Sequence, residues 1–428
     1  MNWTAIQDLR GRRVWDSRGR PTVEVEVRLA GGAVGRAIAP AGASMGSGEA
    51  ADRRDGGDAF GGLDVTGAVA AIEGEIGEAL TGVGAEDQAA IDQLLIELDG
   101  TEDKSRLGGN ATVAVSMAVA HAAAAASGQS LWRYLGGLAP RTMPLPEIQI
   151  FGGGAHAARR VDVQDFMVIA VGADDYTQAL DWTAEVYRAA GRIMDEAGVL
   201  QGVADEGGYW PVFETNEAAL ETLVRAIEKA GLIPGEQVAI SLDVAASEFG
   251  EGGQYRLGLE GRELDSDALA EMLQGWIERY PIVSIEDPLA EDDEAGLVEF
   301  TKAVGDRVQI IGDDYLVTDA DRVARAAEAG ACNAVLVKPN QAGTLSEAYA
   351  AFEVATAAGW GAVISARSGE TEDVTIVHLA VGWGAGQLKV GSFARSERMA
   401  KWNEGLRIAE ALDNGGALPS RSAFPWRR

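Results

Sequence analysis

Cysteine is nearly absent from this chain: Cys332 is the only one in 428 residues. No internal disulfide can form. Because Cys332 opens the apolar run Cys332-Asn-Ala-Val-Leu-Val337, it reads as a buried structural thiol. Basic residues are scarce as well, with 36 Lys and Arg against 66 Asp and Glu, a formal net charge of -30. That balance excludes nucleic acid and an anionic membrane as partners, since both need a basic surface. Long apolar runs are missing too. The most apolar stretch, 111–126, is rich in Ala, contains His121 and is short for a bilayer span. Asp8, Arg10 and Asp16 stand where a signal peptide would have its apolar core, so a soluble cytoplasmic protein is expected. An anionic substrate would need its positive charge from a metal, Lys or Arg in the site itself.

The length suggests two domains, one of them large, and the apolar share of 47% is ordinary for a globular protein. The most informative stretch is 238–314. Three β-branched runs there each stop at a carboxylate: Val238-Ala-Ile-Ser-Leu-Asp243, Ile282-Val-Ser-Ile-Glu286 and Val308-Gln-Ile-Ile-Gly-Asp313. Short runs rich in Val and Ile predict fully buried strands. Helical patterns over 266–279 and 289–304 separate them, which is the rhythm of a parallel sheet built from βα units. Closed into a barrel, such strands carry their C-terminal tips, and the three carboxylates, to the face where barrel enzymes keep their active sites. Hard oxygen ligands of this kind suit Mg²⁺. A single acidic residue at a strand end is more often a helix cap or a surface group. Three in succession, followed by Lys338 and Lys389 at later strand tips, form a pattern. A buried lysine can lose its proton and act as a base, and Lys with one or two Mg²⁺ removes a proton beside a carboxylate.

Ahead of this stretch, 14–29 predicts two strands around the turn cluster Asp16-Ser-Arg-Gly-Arg-Pro21, the second with one wet face. Residues 65–98 and 110–127 look helical. The loop Ala39-Pro-Ala-Gly-Ala-Ser-Met-Gly-Ser-Gly-Glu49 is small and flexible, either a surface loop or a mobile lid. A second glycine-rich loop, Phe151-Gly-Gly-Gly-Ala-His156, fits no nucleotide-binding spacing. The expected division is an N-terminal α+β capping domain over 1–138, a C-terminal (β/α)8-type barrel over 139–415, and a flexible tail over 416–428.

The chain resembles enolase over nearly its whole length. The resemblance rests on Asp16-Ser-Arg-Gly-Arg-Pro-Thr-Val-Glu-Val, the Ala43-Ser44 loop, Leu107-Gly-Gly-Asn-Ala, Asp205-Glu-Gly-Gly and Leu242-Asp-Val-Ala-Ala-Ser-Glu-Phe. It continues through Ser284-Ile-Glu-Asp, Gly312-Asp-Asp, Arg367-Ser-Gly-Glu-Thr-Glu-Asp and Gly391-Ser-Phe-Ala-Arg-Ser-Glu-Arg. It implies an α/β protein in which Asp243, Glu286 and Asp313 hold one Mg²⁺ and Ser44 helps to hold a second. Lys338 would be the base, Lys389 the clamp on the substrate carboxylate, and Glu206 the acid for the departing hydroxide. Arg367 and Ser368 would hold the phosphate, with His156 closing over it and Asp165 in the catalytic set. The partner implied is a small phosphorylated or phosphonylated carboxylic acid, and the assembly a homodimer or higher homo-oligomer.

The chain departs from the enolase pattern around the leaving hydroxyl and the phosphate. Ala366 stands where enolases have a histidine, Asp165 where they have a glutamate, and both loops have changed. Drift in an ordinary glycolytic enolase is one reading. A degenerate paralogue that binds without turnover is another, opposed by the intact Lys338, Lys389, Glu206 and metal carboxylates. The preferred expectation is a divergent enolase-type lyase acting on a 2-phosphoglycerate-like substrate with a modified head group. The carboxyphosphonoenolpyruvate synthase type of phosphinothricin-like antibiotic pathways is the candidate, because smaller residues at Ala366 and in the lids admit a bulkier head group.

Overall fold

A computed structural model describes residues 2–43, 45–139 and 141–426. The chain opens with an antiparallel sheet of β1 (Ile6–Trp15), β2 (Pro21–Leu29) and β3 (Val34–Ile38). The first turn is held by the Asp16 carboxylate, which accepts the N–H groups of Arg18 and Arg20, each at 2.8 Å. Strand alternation sends Val23, Val25, Val27 and Leu29 to full burial against helix Gly109–Ala126. Gly35 makes that contact possible, because a Cβ there would lie 2.1 Å from the Ala118 carbonyl oxygen. The apolar character of this helix therefore serves the core: 83% of it is buried.

The helical expectation for 65–98 needs correction. Helices Thr66–Ala71 and Gly77–Leu80 are joined by a π-turn over Ile72–Ile76, and a separate helix runs over Gln88–Asp99. The break lies at Gly82, whose φ of +88° suits glycine, and Asp87 caps the new helix by accepting from the Ala90 N–H.

Eight strands close the barrel: β4 (Leu145–Gly152), β5 (Asp165–Ile169), β6 (Ala239–Asp243), β10 (Ile282–Glu286), β11 (Gln309–Gly312), β12 (Ala334–Val337), β13 (Gly361–Ser365) and β14 (Gln387–Ser392). Between β6 and β10 lies a small sheet of β7 (Gly250–Glu251), β8 (Gln254–Leu257) and β9 (Arg262–Asp265), absent from the sequence reading. The wholly parallel expectation is corrected in one strand. β5 runs antiparallel to both β4 and β6. Residues 153–164 contain only a short 3₁₀ turn, Gly154–Ala157, so no crossover helix carries the chain back before β5 begins. Helices Tyr176–Glu196 and Asn216–Lys229 follow and lead into β6. As a result the first residue of β5, Asp165, lies opposite the last residue of β6, Asp243. Helix Ser266–Arg279 forms where expected. Its successor, Glu294–Val304, starts later than the apolar pattern suggests, because Asp293 caps it through the Gly296 N–H.

The segment expected as a flexible tail also needs correction. Phe424 is buried in a cluster with Leu145 and Ile169, and its ring stacks on Trp426 at 4.5 Å. Covering two aromatic rings and the entry to β4 opposes disorder there.

Candidate active site

The barrel mouth gathers the three expected metal carboxylates. Asp243 and Glu286 end neighbouring strands in register, and Asp313 follows β11 directly. Two lysines hold them. Lys389, from within β14, donates to Asp243 Oδ2 at 2.9 Å and to Glu286 Oε2 at 2.7 Å, and lies 3.7 Å from Asp165 Oδ2. Lys338, just past β12, pairs with Asp313. Burial alone would lower the pKa of both ammonium groups. The facing carboxylates, Asp313 for Lys338 and Asp243 with Glu286 for Lys389, turn both shifts upward. Glu286 is driven well above the usual carboxylate range by burial and by the nearby Asp243.

These residues offer the donor chemistry of a hard divalent cation, although their ligand atoms are not gathered within 4.8 Å of one another while the two ammonium groups occupy them. Glu286 Oε1 is a buried carboxylate oxygen with no hydrogen-bond partner, and the donor set is all oxygen. A second acidic group, Asp287, Asp313 and Asp314, has ligand atoms within 4.8 Å of one another. Asp287 shapes that turn by accepting the Asp313 and Asp314 N–H groups at 2.9 and 2.8 Å. Its carboxyl is pushed well up by burial and by Asp314.

Across the mouth stand His156, Asp165 and Glu206, also within 4.8 Å of one another. His156 Nδ1 lies 2.9 Å from Asp165 Oδ1, and its Nε2 lies 3.9 Å from Glu206 Oε1. Burial pulls the imidazole pKa down, but Asp165 and then Glu206 outweigh it and raise it to about 9. Burial pushes Asp165 up, and His156 with Lys389 brings it down to about 2. The pair is an imidazolium and a carboxylate. Glu206 is also 3.8 Å from Arg398.

The third side is the segment after β13. Ala366, Arg367 and Ser368 line the same cavity as His156, Glu206, Lys338 and Lys389, with Ala43 from the first loop on its wall. Glu286 and Asp313 do not line it, since the two ammonium groups cover them. Arg367 donates to Glu49 Oε2 at 2.8 Å, and Glu49 also accepts from Gln341, which donates in turn to Asp313. Buried Arg398 donates to the carbonyls of Arg367 and Ser368, fixing this segment from helix Ser396–Ala411. Arg18 reaches over from the N-terminal sheet to Ser368 Oγ at 3.5 Å.

Every expected site residue except Ser44, which lies outside the described residues, falls at this mouth. Sequence reasoning missed Glu49, Gln149, Asp287 and Arg398. Three of these had a visible signal: Glu49 ends a loop otherwise made of small residues, and Asp287 and Arg398 close two of the motifs that carry the resemblance, while Gln149 had none.

A family model for the enolase C-terminal TIM barrel domain matches residues 140–424, and one for the enolase N-terminal domain matches residues 6–135.

Proposed function

The chain belongs to the enolase family, and from that premise we propose that it is a Mg²⁺-dependent hydro-lyase for a 2-phosphoglycerate-like substrate with an enlarged head group, of the carboxyphosphonoenolpyruvate synthase type. Enolases are lyases that act on small phosphorylated carboxylic acids. Asp243, Glu286 and Asp313 are the residues that would hold Mg²⁺. The ion would supply positive charge to the substrate carboxylate as it gains electron density.

The remaining steps belong to the protein. Lys338 is the base for the α-proton. Burial, Arg367 and Lys389 favour its free amine, but Asp313 and Glu286 outweigh them and hold its pKa above the ordinary lysine value, so the base is available only once Asp313 is engaged elsewhere. Lys389 keeps its charge and pairs with the carboxylate end of the substrate. Glu206 and the imidazolium of His156, 3.9 Å apart, are the groups that bring a proton to the departing hydroxide, the imidazolium supplying it and Glu206 relaying it. Arg367 and Ser368 face the phosphorus-bearing group.

The observation that carries the modified head group is the methyl of Ala366. It lines the same cavity as Lys338, Lys389, Arg367 and Ser368, at the position where an enolase has an imidazole. An assay with Mg²⁺ compares 2-phosphoglycerate with glycerate bearing a carboxyphosphono ester at O2, following enol absorbance. Faster turnover of the second compound is expected. Turnover of 2-phosphoglycerate at ordinary enolase rates would overturn the reading in favour of the glycolytic enzyme. A homo-oligomer is part of the proposal and is tested by sedimentation.

A further inference from the structure

Behind Asp165 sits a side chain that this mechanism has not used. Gln149, on β4, is fully buried. Its Nε2 donates to Asp165 Oδ1, and its Oε1 accepts from the Gly208 N–H at 2.8 Å. A carboxylate can only accept and an N–H can only donate, so the orientation of the amide is fixed by its partners. Each partner controls one arm of the acid side of the site. Asp165 Oδ1 also accepts from His156 Nδ1, which leaves Nε2 facing Glu206. Gly208 closes the tight turn that presents Glu206: Gly207 N–H reaches the Ala204 carbonyl at 3.0 Å, and Ala204 N–H reaches the Gly208 carbonyl at 2.7 Å. A Cβ at Gly208 would lie 2.4 Å from Gln149 Oε1, so the contact requires glycine there. A further bond, Asp205 N–H to the His156 carbonyl at 3.1 Å, ties the two loops directly.

We infer that Gln149 is a positioning residue that orients His156 through Asp165 and Glu206 through Gly208, fixing the imidazole and the carboxylate against each other. The inference rests on the proposed roles of His156 and Glu206 for its functional meaning. Its geometry is testable without substrate. With only three histidines in the chain, side-chain ¹⁵N–¹H spectra of the full-length protein resolve each ring, and His156→Asn assigns the signal of interest. A protected, downfield Nδ1–H resonance from His156 is expected. Gln149→Met keeps the length of the side chain and removes both bonds. Gln149→Glu, read at a pH at which the added carboxyl is ionised, keeps an acceptor for Gly208 but removes the donor to Asp165. In each, exchange of that proton accelerates by about tenfold or more, as loss of a hydrogen bond to a charged group implies. His121 and His378, which lie elsewhere, report that the fold is retained. If Gln149→Met loses those two signals as well, Gln149→Glu decides alone. A His156 proton as protected in Gln149→Glu as in the parent protein overturns the inference. Failure of the substrate assay leaves this result unchanged, because no substrate is present.

Discussion

Glu49 and Arg367 form an ion pair across the seam between the first loop and the barrel mouth, 2.8 Å apart with both side chains at most 5% exposed. A carboxylate thus sits on the arginine to which the proposed function assigns the anionic head group of the substrate. The Gly46 N–H, donated to Glu49 Oε1 at 3.0 Å, links this pair to the fold of the loop itself. On the proposed function, substrate binding would compete with Glu49 for one guanidinium and so act on the loop that Glu49 holds.

Removing the charge at Glu49 should separate those effects. Glu49→Gln keeps the shape and one acceptor, so a stability loss of about 1–3 kcal/mol is expected, toward the low end for breaking a buried pair. Binding of inorganic phosphate should strengthen. Urea midpoints with and without phosphate measure both, and an unchanged phosphate affinity would show that Glu49 does not compete.

Lys338→Ala removes the proposed base without touching β12, which ends at Val337. Turnover should fall about 10²–10⁴-fold, the usual contribution of a general base. Exchange of the substrate α-proton into D₂O should fall in parallel. Exchange that survives while turnover is lost would move the base elsewhere.

Metal binding should be visible in stability alone. Saturating Mg²⁺ at about 100 times its dissociation constant adds about 2.7 kcal/mol to a folded state that alone binds it. The melting temperature of the parent protein should therefore rise with Mg²⁺ and fall back with a chelator. Glu286→Gln, which alters the side chain with the unpartnered oxygen, should blunt the rise. An equal rise in that variant would place the ion at another cluster.

The His156–Asp165 pair makes two opposite contributions to pH dependence. His156 is raised from about 6.5 in the unfolded chain to about 9 in the folded state. Its stabilisation is complete below the lower value and is lost as pH rises through the higher one. Asp165 is lowered from about 3.9 to about 2. Its contribution is complete above the first value and disappears as pH falls toward the second. The stability gap between the parent protein and His156→Gln should narrow between pH 6.5 and 9. The gap to Asp165→Asn should narrow below pH 4. A gap constant across both windows would mean the pair is not ionised.

Ala366→His tests substrate choice by addition. Supplying an imidazole in the cavity that Glu206 also lines should raise turnover of 2-phosphoglycerate and lower that of the bulkier ester, read as the ratio of the two kcat/KM values. A ratio that does not move would remove Ala366 from the determinants of specificity.

Much of this site was legible because parallel strands leave a local signature. Asp243, Glu286 and Asp313 each close an apolar run, and period and punctuation alone expose them. Asp165 has the reverse signature, opening its run, and only the antiparallel course of β5 explains how it reaches the same rim. The contacts made by Glu49 and Gln149 were hidden for a different reason. Their partners lie far along the chain, Arg367 for one and Gly208 for the other, so no local pattern encodes the contact. The tail was misread because composition suggested solvent, while Phe424 and Trp426 find apolar cover only once the barrel has closed.

The reversed strand has a further consequence for how this protein can vary. A connection between parallel barrel strands has a helix to absorb insertions on its way around the outside. Residues 153–164 have no such reservoir, since both of their anchors, Gly152 and Asp165, are cross-strand partners at the mouth. The reach of His156 is therefore set by loop length as much as by composition. A single inserted or deleted residue would shift His156 relative to Asp165, which it touches at 2.9 Å, and so change its reach across the mouth. If the proposed role of His156 holds, this hairpin sets the room at the mouth in steps of whole residues.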